Sequence, residues 1–420
     1  MQIKPRSIAL TCIATGALTA VSPLAVAQTP TAHVYLDLAT HASDIPGMGA
    51  AGAFASGGIG GGLANIFGGG RSGGGNVFGG TRAGFSPGKY MDVSVFTRAN
   101  SGLTAATQAL PAGFGLGDTL NLITPMSKLD PVTRDEDPIE PIYERPKGKM
   151  KLYWGCGDSI RSGQPRVLDL ANASVADMQR FFGTARTSTT RGARLANGHP
   201  SWPHKDDDRR VPEGASMVGE HKFVGSGISD SFKLNLGTGQ DFLGQFSISQ
   251  AGGGDSASRL SWSPMNNARG YFISAMQGGG SADGGAEMVL WSSSDVAELG
   301  FGLIEYQTNS AIDGWIRERV VLNSSATQCS IPKGVFNGVA MVRAIAFGNE
   351  SSFIYPPRPT DSRALAAWQP EWSAKVRVKS TFMSMLGGMA GATRGQANER
   401  EEKKEKAPDP VDLLRGLFRR

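Results

Sequence analysis

The chain has 420 residues, which is enough for two domains and a sizeable hydrophobic core. Hydrophobic residues make up 40% of it and charged residues 19%, both low for a globular protein, because 57 glycines take their place. The net charge of +5 is too small to predict nucleic-acid binding, which requires a dense basic face.

The N-terminus has the pattern of a secretory signal peptide. Lys4 and Arg6 precede an apolar run at residues 8–24, and an A-x-A site follows at 25–27. We expect cleavage after Ala27 and a periplasmic or secreted protein. The alternative is an uncleaved membrane anchor, which a glycine and a proline inside the run disfavour.

Residues 28–147 form the predicted N-terminal region, in which a run of glycine, alanine and serine at 47–85 stands out. Glycine at this density opposes a regular helix or strand, so we predict a disordered low-complexity loop. Small residues spaced four apart, with apolar residues between them, favour a second interpretation as a packing surface in a membrane or an assembly. A proline-rich, mostly acidic connector at 125–146 ends the region.

Cys156 and Cys329 are the two cysteines that remain after the signal peptide. An exported protein meets an oxidising compartment, so we predict a disulfide between them, which closes a loop of 329 − 156 = 173 residues. Two alternatives stay open: a pair of unreactive buried thiols, or Cys156 as a reactive thiol with a histidine partner.

The histidines offer one further candidate for catalysis. His204 and Asp206 are close enough in sequence to act as a general-base pair. The spacing of His199, His204 and His221 fits no metal site, so we predict neither a metal ion nor a cofactor.

Runs of alternating apolar and polar residues predict a mainly β protein. We expect one or two antiparallel β-sandwiches at 148–385, with a possible division near residue 256. One helix is predicted at 176–182, and residues 315–323 are ambiguous between a helix end and a strand. The predicted strands lie at 33–38, 91–96, 221–224, 231–236, 242–249, 259–262, 271–276, 287–291, 339–347 and 374–381.

The stretch at 259–276 organises the predicted sandwich. Apolar and polar residues alternate up to Trp262, and Pro264 stops the run. The alternation resumes at Tyr271 after a turn at 266–267, which predicts a hairpin of two short strands. Trp262 and Tyr271 are the expected core anchors, because aromatic side chains fill the gap of roughly 10 Å between two sheets.

The letters L-S-W-S-P-x-x-x-A-R-G-Y-F-I at 260–273 resemble the second and third strands of fibronectin type III domains. The resemblance implies an immunoglobulin-like sandwich in which Trp262 and Tyr271 pack inside, and a module used for binding or as a spacer. The predicted body is longer than one such domain of roughly 100 residues. Y-W-G-C-G at 153–157 and W-S-A-K-V-R-V-K-S at 372–380 are similar to uncharacterised secreted proteins of proteobacteria, a family that implies no activity.

Alternation in the last predicted strand places three basic side chains, Lys375, Arg377 and Lys379, on the face that looks away from the core. This basic ladder is a candidate surface for lipid phosphates or an anionic polysaccharide. It is equally interpreted as a charged strand face that prevents edge-to-edge pairing of sheets.

Residues 386–420 are predicted to be a charged linker that ends in an amphipathic peptide. Leu414 and Phe418 lie at helical spacing, and Arg419 and Arg420 follow them. These four residues are candidates for docking to a partner groove or to an anionic membrane surface. Since ten residues form only a marginal helix alone, a frayed tail is the alternative.

Two classes of function follow from the sequence. The first is an exported, non-enzymatic binding or structural protein of the cell envelope, whose partner is an envelope component, a polymer or another protein. The second is an exported hydrolase that uses Cys156, or His204 with Asp206.

Overall fold

The computed structural model describes residues 29–45, 76–83, 86–125, 148–183, 185–280 and 285–387. Outside these residues lie the predicted signal peptide, most of the glycine-rich segment, nearly all of the proline-rich connector, and the C-terminal peptide with Leu414, Phe418, Arg419 and Arg420. Within them the protein is mainly β, as the alternating sequence predicts.

Seventeen strands and four α-helices are present in the described ranges. The strands are β1 (Ala32–Ser43), β2 (Gly88–Thr97), β3 (Ala105–Ala109), β4 (Thr119–Ile123), β5 (Gly148–Trp154), β6 (Arg166–Asp169), β7 (Ser201–Trp202), β8 (Gly219–Val224), β9 (Lys233–Leu236), β10 (Ser249–Gly252), β11 (Ser258–Ser261), β12 (Gly270–Gly280), β13 (Ala286–Ser292), β14 (Leu322–Asn323), β15 (Gln328–Ile331), β16 (Ala340–Tyr355) and β17 (Trp372–Leu386). The helices are α1 (Gly80–Ala83), α2 (Val175–Phe182), α3 (Asn309–Arg317) and α4 (Ser362–Ala367).

A large sheet dominates the fold. Its strands follow one another in the order β6-β5-β13-β12-β16-β17-β1-β2-β7-β4-β3-β8-β9, and β14 pairs with β12 beside that path. The pairs β1–β17 and β5–β13 run parallel, so the sheet is mixed and the prediction of an antiparallel sheet is corrected. A parallel pair needs a long crossover; for β1 and β17, nearly the whole described chain provides it.

A second, smaller sheet is antiparallel and consists of β10, β11 and β15. Buried residues of both sheets belong to one hydrophobic core, with Leu260 and Ile331 from the small sheet and Ile273 and Val342 from the large one. Burial of apolar surface between the two sheets therefore holds them together.

Trp262 and Tyr271 lie in this shared core. Their side chains are 6% and 0% exposed, and their ring centroids are 5.6 Å apart. The Tyr271 hydroxyl accepts a hydrogen bond from the Met265 N–H at 2.8 Å, which satisfies its polar end inside the core. Phe246 packs against both rings.

β11 and β12 do not form the predicted hairpin. β11 pairs with β10 and β15 in the small sheet, whereas β12 pairs with β13, β14 and β16 in the large one. Pro264 cannot donate to a strand ladder, and Asn267 turns the chain with a left-handed backbone (φ 64°) that asparagine tolerates. The connection therefore carries the chain from one sheet to the other.

The remaining elements agree with the sequence in part. The helix predicted at 176–182 is α2, which begins with a capping box between Ser174 and Asp177. Residues 315–323 contain both the end of α3 and the whole of β14, which explains their ambiguous pattern. The strand predicted at 242–249 is irregular up to Ser249, where β10 begins. β3 and β4 lie where the sequence shows no clear period.

Strands from both predicted regions share the large sheet. β1 and β2 come from residues 28–147, and β16 and β17 come from 148–385. The boundaries near residues 147 and 256 stay predictions.

Candidate functional site

Cys156 and Cys329 form the disulfide that the sequence predicts, with a sulfur–sulfur distance of 2.05 Å. Cys156 follows β5 of the large sheet, and Cys329 lies in β15 of the small one. The bond therefore links the two sheets covalently, and it leaves Cys156 without the free thiolate that a nucleophile requires.

His204 and Asp206 do not form a side-chain pair. The Nε2 atom of His204 lies 3.0 Å from the Asn121 carbonyl oxygen, and its Nδ1 accepts a hydrogen bond from the Asp206 backbone N–H at 3.2 Å. The Asp206 carboxylate instead pairs with the exposed Lys205 at 3.1 Å. A carboxylate that orients a histidine for proton transfer would have to contact its ring, and this one does not.

The three basic residues of the predicted ladder do not form an exposed face. Arg377 and Lys379 are 5% and 1% exposed, and Lys375 is half-buried and pairs with Glu350 at 3.4 Å. The prediction of a basic surface is therefore corrected. Val376 and Val378 face the core as the alternation predicts, but further chain covers the opposite face, on which the basic side chains lie.

We call the residues under this cover the charged cluster: Asp37, Glu305, Tyr306, Arg377 and Lys379. Arg377 donates two hydrogen bonds to the Asp37 carboxylate, at 2.7 and 2.5 Å. Lys379 donates one to Glu305 at 3.0 Å. The Tyr306 ring packs between the two cations, with its centroid 4.4 Å from the Arg377 guanidinium carbon and 4.6 Å from the Lys379 nitrogen.

Burial and pairing act on this cluster in opposite directions. Burial lowers the pKa of Lys379, and Glu305 partly offsets the shift. Burial also lowers the pKa of Arg377, but the adjacent Asp37 outweighs it and the net shift is upward. The pKa of Tyr306 is raised well above its usual value by burial and by the charge of Asp37. The cations thus have internal partners, which indicates a structural role.

Residues 190–194 lie over the Asp37–Arg377 pair of the cluster. The Ala193 N–H donates to Asp37 Oδ2 at 3.1 Å, and the Arg194 N–H donates to Ser94 Oγ at 3.2 Å. A Cβ atom at Gly192 would lie 1.6 Å from an Arg377 nitrogen, so only glycine fits here. Alternation in the sequence indicated Arg377 and Lys379 but missed Asp37. The position of Asp37 between Leu36 and Leu38 in β1 was the available signal, because a buried carboxylate requires a partner.

A second polar group lies where α1 meets β1 and β2. His41 is buried, with Nδ1 2.7 Å from Thr381 Oγ1 and Nε2 3.0 Å from the Gly80 carbonyl oxygen. Asp92 accepts hydrogen bonds from the Gly79 N–H and the Thr81 hydroxyl. Burial lowers the pKa of His41 to about 3 and raises the pKa of Asp92 to about 7. This pair of residues fastens α1 to the sheet.

Two spaces in the described chain are open to small groups. A cavity of about 20 Å³, room for one water molecule, lies beside Arg343. A groove of about 210 Å³ lies between β6 and α2, and Val167, Leu168, Ala173 and Phe181 supply its apolar lining. Charged residues of both signs also line the groove.

Among the described residues, no group of three His, Cys, Asp or Glu side chains is placed to hold a metal ion. No helix in these ranges is long and apolar enough to cross a membrane.

Comparison with known proteins yields no matching family model, no similar curated protein and no similar solved structure. The resemblances to fibronectin type III domains and to secreted proteobacterial proteins therefore stay predictions.

Proposed function

We propose that the protein is exported and serves the cell envelope as a binding or structural protein that catalyses no reaction. The observation that carries this proposal is the disulfide between Cys156 and Cys329. Such bonds persist in oxidising compartments outside the cytoplasm. This agrees with the signal-peptide pattern and the expected periplasmic or secreted location.

The same bond weighs against the competing hydrolase, which needs either Cys156 or a base made of His204 and Asp206. The sulfur of Cys156 is already bonded, and the Asp206 carboxylate pairs with Lys205 and not with the His204 ring. The charged cluster is filled by its own ion pairs. A binding role requires only a stable folded body, which the disulfide and the shared core provide.

The body in this proposal is a two-layer β-sandwich related to fibronectin type III domains. Its support is the hydrophobic core shared by the two sheets and the close packing of Trp262 on Tyr271. A sandwich of this class commonly acts as a binding or spacer module.

The docking element in this proposal is the C-terminal peptide. Leu414 and Phe418 supply apolar contacts, and Arg419 and Arg420 supply positive charge. Its partner is an envelope component, whether a polymer, a protein groove or an anionic membrane surface.

Cell fractionation tests the docking element. We expect the full chain in the envelope fraction and a variant lacking residues 408–420 in the soluble periplasm. Leu414→Asp with Phe418→Asp should release the protein if the contact is apolar, whereas Arg419→Gln with Arg420→Gln should release it if the contact is electrostatic. An unchanged distribution of the truncated variant overturns the docking role.

Thiol alkylation tests export separately. In protein taken from intact cells under denaturing conditions, Cys156 and Cys329 should react with a maleimide only after reduction. Reaction without reductant would place the protein in a reducing compartment and contradict the proposal.

A further inference from the structure

Among the strands that the structure describes, β6 is the outermost on one side of the large sheet. It pairs with β5 in the register Lys149↔Asp169 to Leu152↔Arg166, and the Leu170 N–H bonds to the Gly148 carbonyl oxygen. Hydrogen-bonded pairs alternate along an antiparallel ladder. The N–H and C=O of Val167 therefore point away from β5, towards the outer edge of the sheet.

Apolar side chains accompany this open backbone. Val167 is 52% exposed, and Val175 at the start of α2 is 75% exposed, the highest value among the large apolar residues of the described chain. The groove between β6 and α2 lies beside them. An open strand edge with exposed valines is the kind of surface to which an extended peptide adds as a further strand.

The C-terminal end of β17 lies in the same row of the sheet as this edge. Pairing connects six residues across neighbouring strands: Met385 (β17), Met341 (β16), Met276 (β12), Leu290 (β13), Leu152 (β5) and Arg166 (β6). Five steps of about 4.8 Å separate β17 from β6, or roughly 24 Å. The chain thus leaves the sheet at the level of the row that ends at Arg166, the residue before Val167.

The length of the following chain matches that distance. Residues 388–410 number 410 − 387 = 23 before the apolar C-terminal peptide at 411–420 begins. A chain of 23 residues without regular structure has an average end-to-end distance of about 26 Å. A tether matched to its span gives an effective concentration of about millimolar, so even a weak contact would be largely occupied.

We propose that residues 411–420 bind along the outer edge of β6, with apolar side chains in the groove and the backbone hydrogen-bonded to Val167. We call this contact the latch, and it rests on the docking role proposed above. While residues 411–420 are bound to β6 they cannot bind the envelope, and a partner has to displace them first. Extended binding is compatible with the peptide's length, because ten residues are only marginally helical alone.

Hydrogen–deuterium exchange of the purified full chain tests the latch. The backbone N–H of Val167 should exchange at least tenfold more slowly in the full chain than in a variant lacking residues 408–420. A synthetic peptide of residues 408–420 added to the truncated variant should restore the protection. The amides of β9, the opposite edge of the sheet, serve as the internal control and should not change.

Two substitutions provide a matched comparison. Val167→Asp should speed exchange within residues 411–420 of the full chain, whereas Val224→Asp, at a valine 45% exposed on β8, should leave it unchanged. Equal exchange at Val167 with and without the tail overturns the latch. Protection that survives truncation and grows with protein concentration also overturns it, because a second copy would then cover the edge. Since no envelope is present, these outcomes are independent of the fractionation result.

Discussion

Asp37 and Arg377 lie directly opposite each other on two neighbouring parallel strands, β1 and β17, and form a buried ion pair joined by two hydrogen bonds. They are 340 positions apart in the sequence. Removing two charges from water is costly, so such a pair adds little net stability over apolar residues. We infer that its value is specificity: Asp37 finds its partner only when β1 and β17 pair in this register.

The first prediction concerns the loss of one partner. Arg377→Leu leaves the Asp37 carboxylate buried without its cation, and we expect a loss of roughly 3–5 kcal/mol in the free energy of unfolding. Urea denaturation measures it. Lys233→Leu, which breaks an exposed pair with Glu220 at 3.5 Å, should lose less than about 1 kcal/mol. The double variant Asp37→Leu with Arg377→Leu should recover much of the loss; equal instability of single and double variants would contradict the account.

The second prediction concerns the cover over the charged cluster. Gly192→Ala adds a Cβ atom 1.6 Å from an Arg377 nitrogen and 2.5 Å from Asp37 Oδ2, so either the loop or the ion pair has to move. We expect a loss of about 1–3 kcal/mol, as for other overpacked sites. Gly214→Ala is the control, because its Cβ atom meets nothing within 4 Å. Equal stability of the two variants would show that the cover is loose.

The third prediction concerns the disulfide. The bond closes a long loop and joins the two sheets, so replacing Cys156 and Cys329 together by serine should lower stability by about 2–5 kcal/mol. Thermal unfolding with and without reductant measures it. The melting temperature of the wild type should fall on reduction, whereas that of the double serine variant should not change. An unchanged melting temperature of the wild type on reduction would refute a stabilising role of the disulfide.

The fourth prediction concerns pH. Burial raises the pKa of Asp92 to about 7 in the folded protein, whereas an unfolded aspartate has a pKa near 3.9. Between these values the folded protein retains a proton that the unfolded chain has released. The stability contributed by Asp92 is therefore complete below about pH 4 and is lost as the pH rises through 7.

Asp92→Asn removes this titration. The stability of the wild type minus that of the variant should fall as the pH rises from about 4 to 7, by up to about 4 kcal/mol. Urea denaturation at several pH values measures the difference. The stability contributed by His41 depends on pH in the opposite direction. Burial lowers the pKa of His41 to about 3, so its contribution is lost on acidification. It is common to both proteins and cancels on subtraction, so a flat difference would contradict the prediction.

The elements that the sequence predicts correctly are those set by interactions between residues close together in the chain. Local alternation located β2, β8, β12 and β13 to within a few residues, and the one helix predicted at 176–182 is α2. It missed β3 and β4, whose five residues each are too few for a clear period. Local alternation also predicted a hairpin of β11 and β12, because two strands linked by a turn have the same sequence pattern whether or not they pair in one sheet.

The candidate sites follow the same division. The exposed Val167 edge was missed because exposure at the side of a sheet depends on which strand lies outermost, and no local pattern records that order. Arg377 and Lys379 were recognised in the sequence as part of an alternating basic set. Their pairing with Asp37 and Glu305 was not, because those partners are 340 and 74 positions away in the sequence.

The sequence by itself determined that the protein is mainly β and that any disulfide outside the predicted signal peptide joins Cys156 to Cys329. Side-chain alternation is a property of neighbouring residues, and two cysteines allow one pairing. Only the tertiary structure decided that β1 lies beside β17 and that Arg377 and Lys379 are buried. Those outcomes depend on contacts between the two ends of the chain and on a loop folded across the sheet, where distant residues exclude water from charges that would otherwise lie on the surface.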